Sequence, residues 1–201
     1  MTSWSLRRRR RSHASTTGWL LAGYAGLAGF FALEALARRP GSASSLKASG
    51  DDQGTTRVIL AAYRLAAVLP LLLRRLPMPQ LPPIAGPAGL TMQAGGLALR
   101  AWSMRTLGAS YTRTLRTEEQ QRLVDTGPYR LVRHPGYAGS LLTWAGLALA
   151  SRSPLMVALM TGLLGSAYRR RIAAEEQLLQ RDLPGYRDYQ KRTKKLIPFL
   201  W

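Results

Sequence analysis

Residues 137–167 read YAGSLLTWAGLALASRSPLMVALMTGLLGSA: two apolar runs, Tyr137 to Ala150 and Leu155 to Ala167, parted only by Ser151-Arg152-Ser153-Pro154. Neither run alternates apolar with polar residues as a half-buried strand does, so the pair predicts a tight helical hairpin. Each arm falls short of the ~20 apolar residues that a bilayer span needs, unless it tilts, thins the bilayer or is extended by its flanks. Taken alone, the hairpin fits a soluble core as well.

Three further blocks decide for a membrane. Trp19 to Leu36 carries one charge, Glu34, and Val58 to Leu73 carries one, Arg64. The third, Ile84 to Leu99, has no charge and is rich in small residues (Gly86, Gly89, Gly95, Gly96), which suits close helix packing in lipid. Five nearly uncharged helices are more than a soluble domain of 201 residues requires. The expected fold is an all-α integral membrane protein of about five transmembrane helices, the last two forming the hairpin, followed by a cytosolic amphipathic helix. The chain then divides into a basic N-terminal tail (1–18), three transmembrane helices (19–99) with a polar loop at 38–56, and a core (100–201). Within the core, loop 100–134 leads into hairpin 135–168 and C-terminal helices 169–201.

Charge agrees once its position is read. The chain has 29 Lys+Arg against 10 Asp+Glu, a net charge of +19, which by composition alone points to nucleic acid. Yet 20 of the basic residues fall in segments 38–57, 100–133 and 169–195, which share one side if five spans alternate from an outside N-terminus. The other side receives eight: Arg7 to Arg11, Arg74, Arg75 and Arg152. The positive-inside rule therefore places the N-terminus outside and both long polar stretches with the C-terminus in the cytosol, with Arg7 to Arg11 running against it. Topology accounts for the charge, and no nucleic-acid partner is expected. Arg7 to Arg11, the apolar run and Ala35-Leu36-Ala37 also fit a signal peptide with a cleavage site, although the run exceeds the usual ~7–15 residues. Within the first two spans, Glu34 and Arg64 are candidates to pair inside the bundle, against snorkelling of each to the interface.

The chain has no cysteine, which excludes a disulfide framework, a thiolate zinc site and a Cys nucleophile. Two histidines, His13 and His134, cannot build a multi-histidine site, so no metal is expected. Chemistry is left to the carboxylates, the arginines and the aromatics. The two cytosolic stretches meet where the hairpin begins and ends. At its start, Pro135 is placed as a first helical residue behind His134, while Gly136 and Gly139 let a backbone or ligand approach. The free N–H groups of such a helix start attract an anion. At its end, Arg171 and Glu175 are four apart on one helix face with Glu176 beside them. Singly, these are an ordinary helix start and a salt-bridged surface helix. Together they place cations on one wall, a carboxylate pair on the other and aromatics between.

The ordered set Gly127-Pro128-Tyr129-Arg130-x-Val132-Arg133-His134-Pro135-Gly136-Tyr137-x-Gly139, Glu175-Glu176, Tyr186-x-x-Tyr189-x-x-Arg192 and Ile197-Pro198-Phe199 resembles the isoprenylcysteine carboxyl methyltransferase family and its bacterial relatives. Phospholipid N-methyltransferases are similar over the same core. The resemblance covers residues 95–201, and 51–70 more loosely. Its Arg-His-Pro-x-Tyr centre is shared with membrane sterol reductases, but there is no G-x-G-x-x-G here, and Glu175-Glu176 and the Leu-Ile-Pro-Phe-Leu-Trp ending resemble the methyltransferases more. The resemblance implies an integral membrane methyltransferase that uses S-adenosylmethionine and takes a lipophilic or prenylated acceptor from the bilayer. It implies His134, Tyr137, Gly139, Glu175 and Glu176 at the cofactor, Arg133 and Arg171 at the acceptor carboxylate as the catalytic pair, and Tyr186, Tyr189 and Arg192 closing the pocket.

The residue inventory suits that chemistry independently. A carboxylate is already ionised near neutral pH, so methyl transfer to it needs no general base, only orientation, exclusion of water and an anion holder such as Arg. An amine acceptor would have to lose a proton, to His134, Tyr137 or a glutamate. Two arginines near the methyl favour the carboxylate. A non-enzymatic basic membrane protein, binding anionic lipid by charge alone, is the reading from another class; it predicts no saturable affinity for S-adenosylmethionine.

Overall fold

The computed structural model describes residues 3–37, 52–73, 76–77, 79–108 and 123–198, with side chains from Thr16 onward. Most of loop 38–56, the middle of loop 100–134, Phe199 and Trp201 lie outside these residues, as do the side chains of Arg7 to Arg11. The elements are α1 (Ser3–Leu36), α2 (Thr55–Leu73), α3 (Ala85–Leu107), a 3-10 turn (Gly127–Arg130), α4 (Pro135–Ala150), α5 (Pro154–Asp182) and α6 (Tyr186–Arg192).

Each apolar block is a helix, and polar residues lengthen three of them. α1 reaches back through the basic tail, and α3 continues to Leu107, so that Arg100 is helical rather than the first residue of a loop. α5 runs unbroken through Asp182, so the polar stretch after the hairpin begins as a continuation of the fifth helix, and the short α6 follows it. Nothing between Arg169 and Asp182 is Gly or Pro, and the stop comes only at Pro184-Gly185. Gly185 there takes φ 81°, a left-handed conformation open to a residue without Cβ.

The five long helices alternate in direction. At one end Arg152, in the α4–α5 turn, donates to the Leu81 carbonyl (2.9 Å) and to Thr16 Oγ1 (3.2 Å). At the other end Glu34 late in α1 meets Arg100 of α3, which in turn reaches Gly136 at the start of α4. Asp52, ahead of α2, meets Arg171 of α5 at that same end. α1, α3 and α5 therefore run one way, α2 and α4 the other.

The closest helix contact is α3 on α4. Gly89 and Gly96 face Gly146 and Gly139; a Cβ on Gly96 would lie 2.6 Å from the Gly139 carbonyl oxygen, and one on Gly139 would lie 2.7 Å from that of Gly96. Backbones touch here as small residues permit. An aromatic layer of Phe30, Tyr63 and Trp144 fills the centre, with Tyr63 stacked on Trp144 at 5.1 Å. Two helical segments among the described residues are long and apolar enough to cross a membrane, Thr16–Leu36 and Thr55–Leu73, and only 28% and 17% of their apolar windows is buried. A core helix of a soluble domain would hide such residues. Here Leu21, Leu36 and Leu72 are 65%, 83% and 61% exposed.

Candidate functional site

Four segments converge at the end of the bundle where α4 starts. The strand-like segment after α6 runs alongside residues 132–134: Val132 and Lys194 form a parallel bridge, and the amides of Arg133 and His134 donate to the carbonyls of Lys194 (2.8 Å) and Lys195 (3.0 Å). This satisfies backbone groups that an irregular approach to a helix leaves open, and it directs both side chains at α5. Arg133 Nε donates to Glu176 Oε1 at 2.8 Å, and its Nη1 donates to the carbonyls of Gln190 (3.1 Å) and Thr193. His134 Nε2 lies 3.3 Å from the same Glu176 oxygen, and Lys195 Nζ lies 3.2 Å from the other. Burial alone would push the Glu176 carboxyl up, but hydrogen bonds and charge from His134 and Arg133 outweigh it and hold the carboxyl down to about 2.

One turn further into α4, the Tyr137 hydroxyl donates to Glu175 Oε2 at 2.6 Å and accepts from Arg171 Nε at 3.2 Å. Arg171 Nη1 reaches across to Asp52 Oδ1 (2.5 Å) and to the hydroxyls of Thr55 and Thr56 (3.0 Å each). Asp52 is fully buried and accepts from the Thr56 amide (3.1 Å), capping α2. Burial opposes its charge, while Thr56 and then Arg171 prevail and keep its carboxyl below the ordinary range.

The structure thus brings together Arg133, His134, Tyr137, Arg171, Glu175 and Glu176. Tyr186 joins them: it is 3% exposed, within electrostatic reach of Glu176 and Glu175, and its hydroxyl is without a hydrogen-bond partner among the described residues. Burial first, and then the two glutamates, push that phenol up.

Three expected members are placed otherwise. Gly139 sits in the α3–α4 contact against Gly96, where the spacing of the glycines puts it on the face turned to α3. Tyr189 is buried, but its hydroxyl donates to the Tyr129 carbonyl (2.6 Å), clasping α6 to the 3-10 turn. Arg192 is exposed and pairs with Asp125 at 3.1 Å.

Glu34 is buried as a charge pair, though with Arg100 (2.5 Å) and not with Arg64, which lies on the exposed face of α2. Asp52, Arg100 and Lys195 were not legible as site residues. A signal for Asp52 existed in Asp52-x-x-Thr55-Thr56, a helix start. Arg100 directly follows the apolar block Ile84 to Leu99, where no local pattern marks it as a site residue.

Comparisons with known proteins follow the same core. The phospholipid methyltransferase family model matches residues 85–184. A stretch of 115 residues is 33% identical to a probable protein-S-isoprenylcysteine O-methyltransferase of Oryza sativa subsp. indica, covering 56% of this chain and 60% of that protein. Over 78 residues the chain is 35% identical to the nickel-cobalt-cadmium resistance protein NccN of Alcaligenes xylosoxydans xylosoxydans, covering 39% of this chain and 37% of that one. In three dimensions it is similar to a solved eukaryotic intramembrane Ras methyltransferase, an isoprenylcysteine carboxyl methyltransferase, with a TM-score of 0.58 and 21% identity over 94% of this chain and 66% of that chain. The sequence match therefore spans about three fifths of the rice relative. Among the described residues no group of three or more His, Cys, Asp or Glu is placed to hold a metal ion.

Proposed function

We propose that this chain is a membrane methyltransferase of the isoprenylcysteine carboxyl methyltransferase-like family, and that it transfers a methyl group from S-adenosylmethionine to the carboxylate of a lipidic, isoprenylcysteine-like acceptor; the family and fold matches support this. One observation carries the reading. Residues far apart in sequence, Asp52, Arg133 to Tyr137, Arg171 to Glu176 and Tyr186, form one polar cluster at the end of an otherwise apolar bundle. Ionisable groups held inside a membrane protein mark functional sites.

The site's residues fit the cofactor. The partnerless Tyr186 hydroxyl is a buried donor and acceptor seeking a ligand, Glu175 offers a carboxylate for an amino or ribose group, and the rings of His134 and Tyr137, 5.8 Å apart, supply flat polarisable surface. The cofactor would supply an electrophilic methyl: an acceptor carboxylate oxygen would bond to the methyl carbon in line as the carbon–sulfur bond breaks and the neutral thioether, S-adenosylhomocysteine, leaves. The protein orients and shields. His134 and Tyr137 stand at the start of α4, and Tyr186, buried on α6 within electrostatic reach of Glu175 and Glu176, would close the pocket. Arg133, fixed by Glu176 and two carbonyls, and Arg171, fixed by Tyr137 and the start of α2, would present guanidinium donors in fixed orientation to the acceptor's carboxylate. Such preorganised charge costs no reorganisation when the reaction occurs.

All five long helices cross the membrane in this reading, with the site and the C-terminus in the cytosol and the N-terminus outside. The alternating helix directions and the 20 basic residues in the segments at the site end support it. A reporter fused to the N-terminus tests the orientation, because Arg7 to Arg11 oppose it.

Detergent-solubilised protein incubated with native lipid extract and methyl-labelled S-adenosylmethionine tests the activity. Label that leaves the product in mild base is an ester, as proposed. Base-stable label is an amine, the second reading, which the phospholipid methyltransferase match favours. No label in any product rejects both.

A further inference from the structure

We infer that Asp52 is a positioning residue for Arg171, so that a carboxylate from outside the matched stretch 85–184 completes the site. The inference rests on the reading that Arg171 faces the acceptor carboxylate.

The argument starts from what this one carboxylate binds. It is fully buried, and its two oxygens divide their work. Oδ2 accepts the Thr56 amide at 3.1 Å, which fixes Asp52 to the first turn of α2. Oδ1 accepts from Thr56 Oγ1 (2.6 Å), Thr55 Oγ1 (3.2 Å) and Arg171 Nη1 (2.5 Å). Capping explains the first contact and the threonines, but not the last. Satisfying an open amide of a first helical turn needs an oxygen and no charge, since Asn and Ser do so about as well as Asp.

The charge is required by Arg171. That guanidinium is 4% exposed and planar, and it is bonded on two edges by different helices. Nε meets Tyr137 of α4, and Nη1 meets Asp52, Thr55 and Thr56 at the start of α2. Two bonded edges define the plane of a guanidinium, whose forked donors are fixed relative to one another. Tyr137 in turn bonds Glu175, so the plane chosen by Asp52 is registered to the cofactor side of the cluster. α2 is therefore more than a membrane anchor. Its N-terminus holds the arginine that the acceptor must meet.

Asp52→Asn isolates the claim, since it keeps a capping oxygen and removes the charge. The assay uses the full chain in phospholipid nanodiscs, with methyl-labelled S-adenosylmethionine and N-acetyl-S-farnesylcysteine as the probe acceptor. We expect the KM for the acceptor to rise about tenfold or more, as for loss of a charge-assisted contact, while the Kd for S-adenosylmethionine stays within about twofold. A fall in acceptor KM would mean that Asp52 competes for Arg171 instead of positioning it, and would overturn the inference. So would an unchanged KM, or equal losses for both ligands.

A double-mutant cycle covers the case in which Asp52→Asn folds poorly. If Asp52 acts through Arg171, the variant Arg171→Gln and the pair Asp52→Asn with Arg171→Gln share one acceptor KM, and removing both charges restores thermal stability. A further rise in KM on adding Asp52→Asn to Arg171→Gln refutes the coupling and leaves the role of Arg171 standing. An acceptor KM untouched by Arg171→Gln, with cofactor affinity reduced, refutes the role of Arg171 itself.

Discussion

Glu34 and Arg100 are the second pair on which the site end of the bundle depends, and the cost of parting them can be worked from their surroundings. Glu34 is 5% exposed and Arg100 8% exposed, with Arg100 Nε donating to Glu34 Oε1 at 2.5 Å and Nη2 meeting the same oxygen. Arg100 Nη1 donates to the Gly136 carbonyl (2.9 Å) and to Ser140 Oγ (2.7 Å), and the guanidinium lies 5.1 Å from the centre of the Phe30 ring. In Glu34→Leu these neutral partners remain, but the Glu34 carboxylate is lost. Removing one member of a buried pair costs about 3–5 kcal/mol. The retained carbonyl, hydroxyl and ring face place this case at the lower end, near 3 kcal/mol. Removing both charges, Glu34→Leu with Arg100→Leu, restores much of that loss, since a buried pair is often no more stable than apolar residues of similar size. Arg64→Leu, on an exposed face, changes stability by less than about 0.5 kcal/mol.

The assay is equilibrium unfolding in mixed micelles with rising sodium dodecyl sulfate, followed by tryptophan fluorescence from Trp144, which packs against Phe30 at 6.2 Å. Transfer activity should fall with stability in Glu34→Leu, because Arg100 grips the turn of α4 that follows His134 and carries Tyr137. If Glu34→Leu unfolds like the unaltered chain, or Arg64→Leu costs as much, the pair does not hold this end together.

Other outcomes follow from single contacts. Gly139→Ala places a Cβ 2.7 Å from the Gly96 carbonyl oxygen and 2.8 Å from the Arg100 amide, so α3 and α4 must part, at a cost of about 1–3 kcal/mol in the same unfolding assay. Gly95→Ala meets nothing within 4 Å and should be neutral or stabilising by up to about 1 kcal/mol. The Glu176 carboxyl is held from 4.5 down to about 2, so its contribution is fully present above the unfolded value and is lost as pH falls through about 2. The unfolding free energy should drop between about pH 4.5 and about pH 2, by at most about 3 kcal/mol, and Glu176→Gln should flatten that slope. Arg192→Ala breaks only an exposed pair, with side chains 62% and 44% accessible, and should alter stability by less than about 1 kcal/mol and leave cofactor affinity unchanged.

The helices were legible because each apolar block is long and bounded by polar residues, and hydrophobic burial reads directly from such runs. Their ends were less so. Arg100 looked like the start of a loop, yet its charge is buried by Glu34, a residue 66 positions away that no local pattern could assign to it. Most of the site was legible as motif, since Arg133 to Tyr137 and Arg171 to Glu176 sit at the two ends of one hairpin, which chain connectivity brings together. Gly139, Tyr189 and Arg192 lie apart from the cluster, which the motif does not show. A motif shows that residues recur together, and does not say which face of the helix each occupies. In α4 the seven-residue spacing of Gly139 and Gly146 already matched Gly89 and Gly96 of α3, and that match decides the face.

The minority charge carries more information than the majority one. Of the chain's ten carboxylates, Glu34, Asp52, Glu175 and Glu176 bond to buried groups at one end of the bundle. Asp125, Asp182 and Asp188 make outer, accessible pairs, and Asp51, Glu118 and Glu119 lie outside the described residues. The basic residues show no such concentration: Arg57, Arg64, Arg105, Arg130, Arg169, Arg170, Arg187 and Lys194 are all exposed. In a chain with a net charge of +19, an exposed cation is one of many. A buried arginine is costly without acceptors: Arg152, 6% exposed at the far end, takes the Leu81 carbonyl and the Thr16 hydroxyl, while those at the site end draw on the short supply of carboxylates. Arg100, Arg133 and Arg171 do so, each with a different partner: Glu34, Glu176 and Asp52. Tracing where the few carboxylates go therefore locates the site, even from helices that no motif covers.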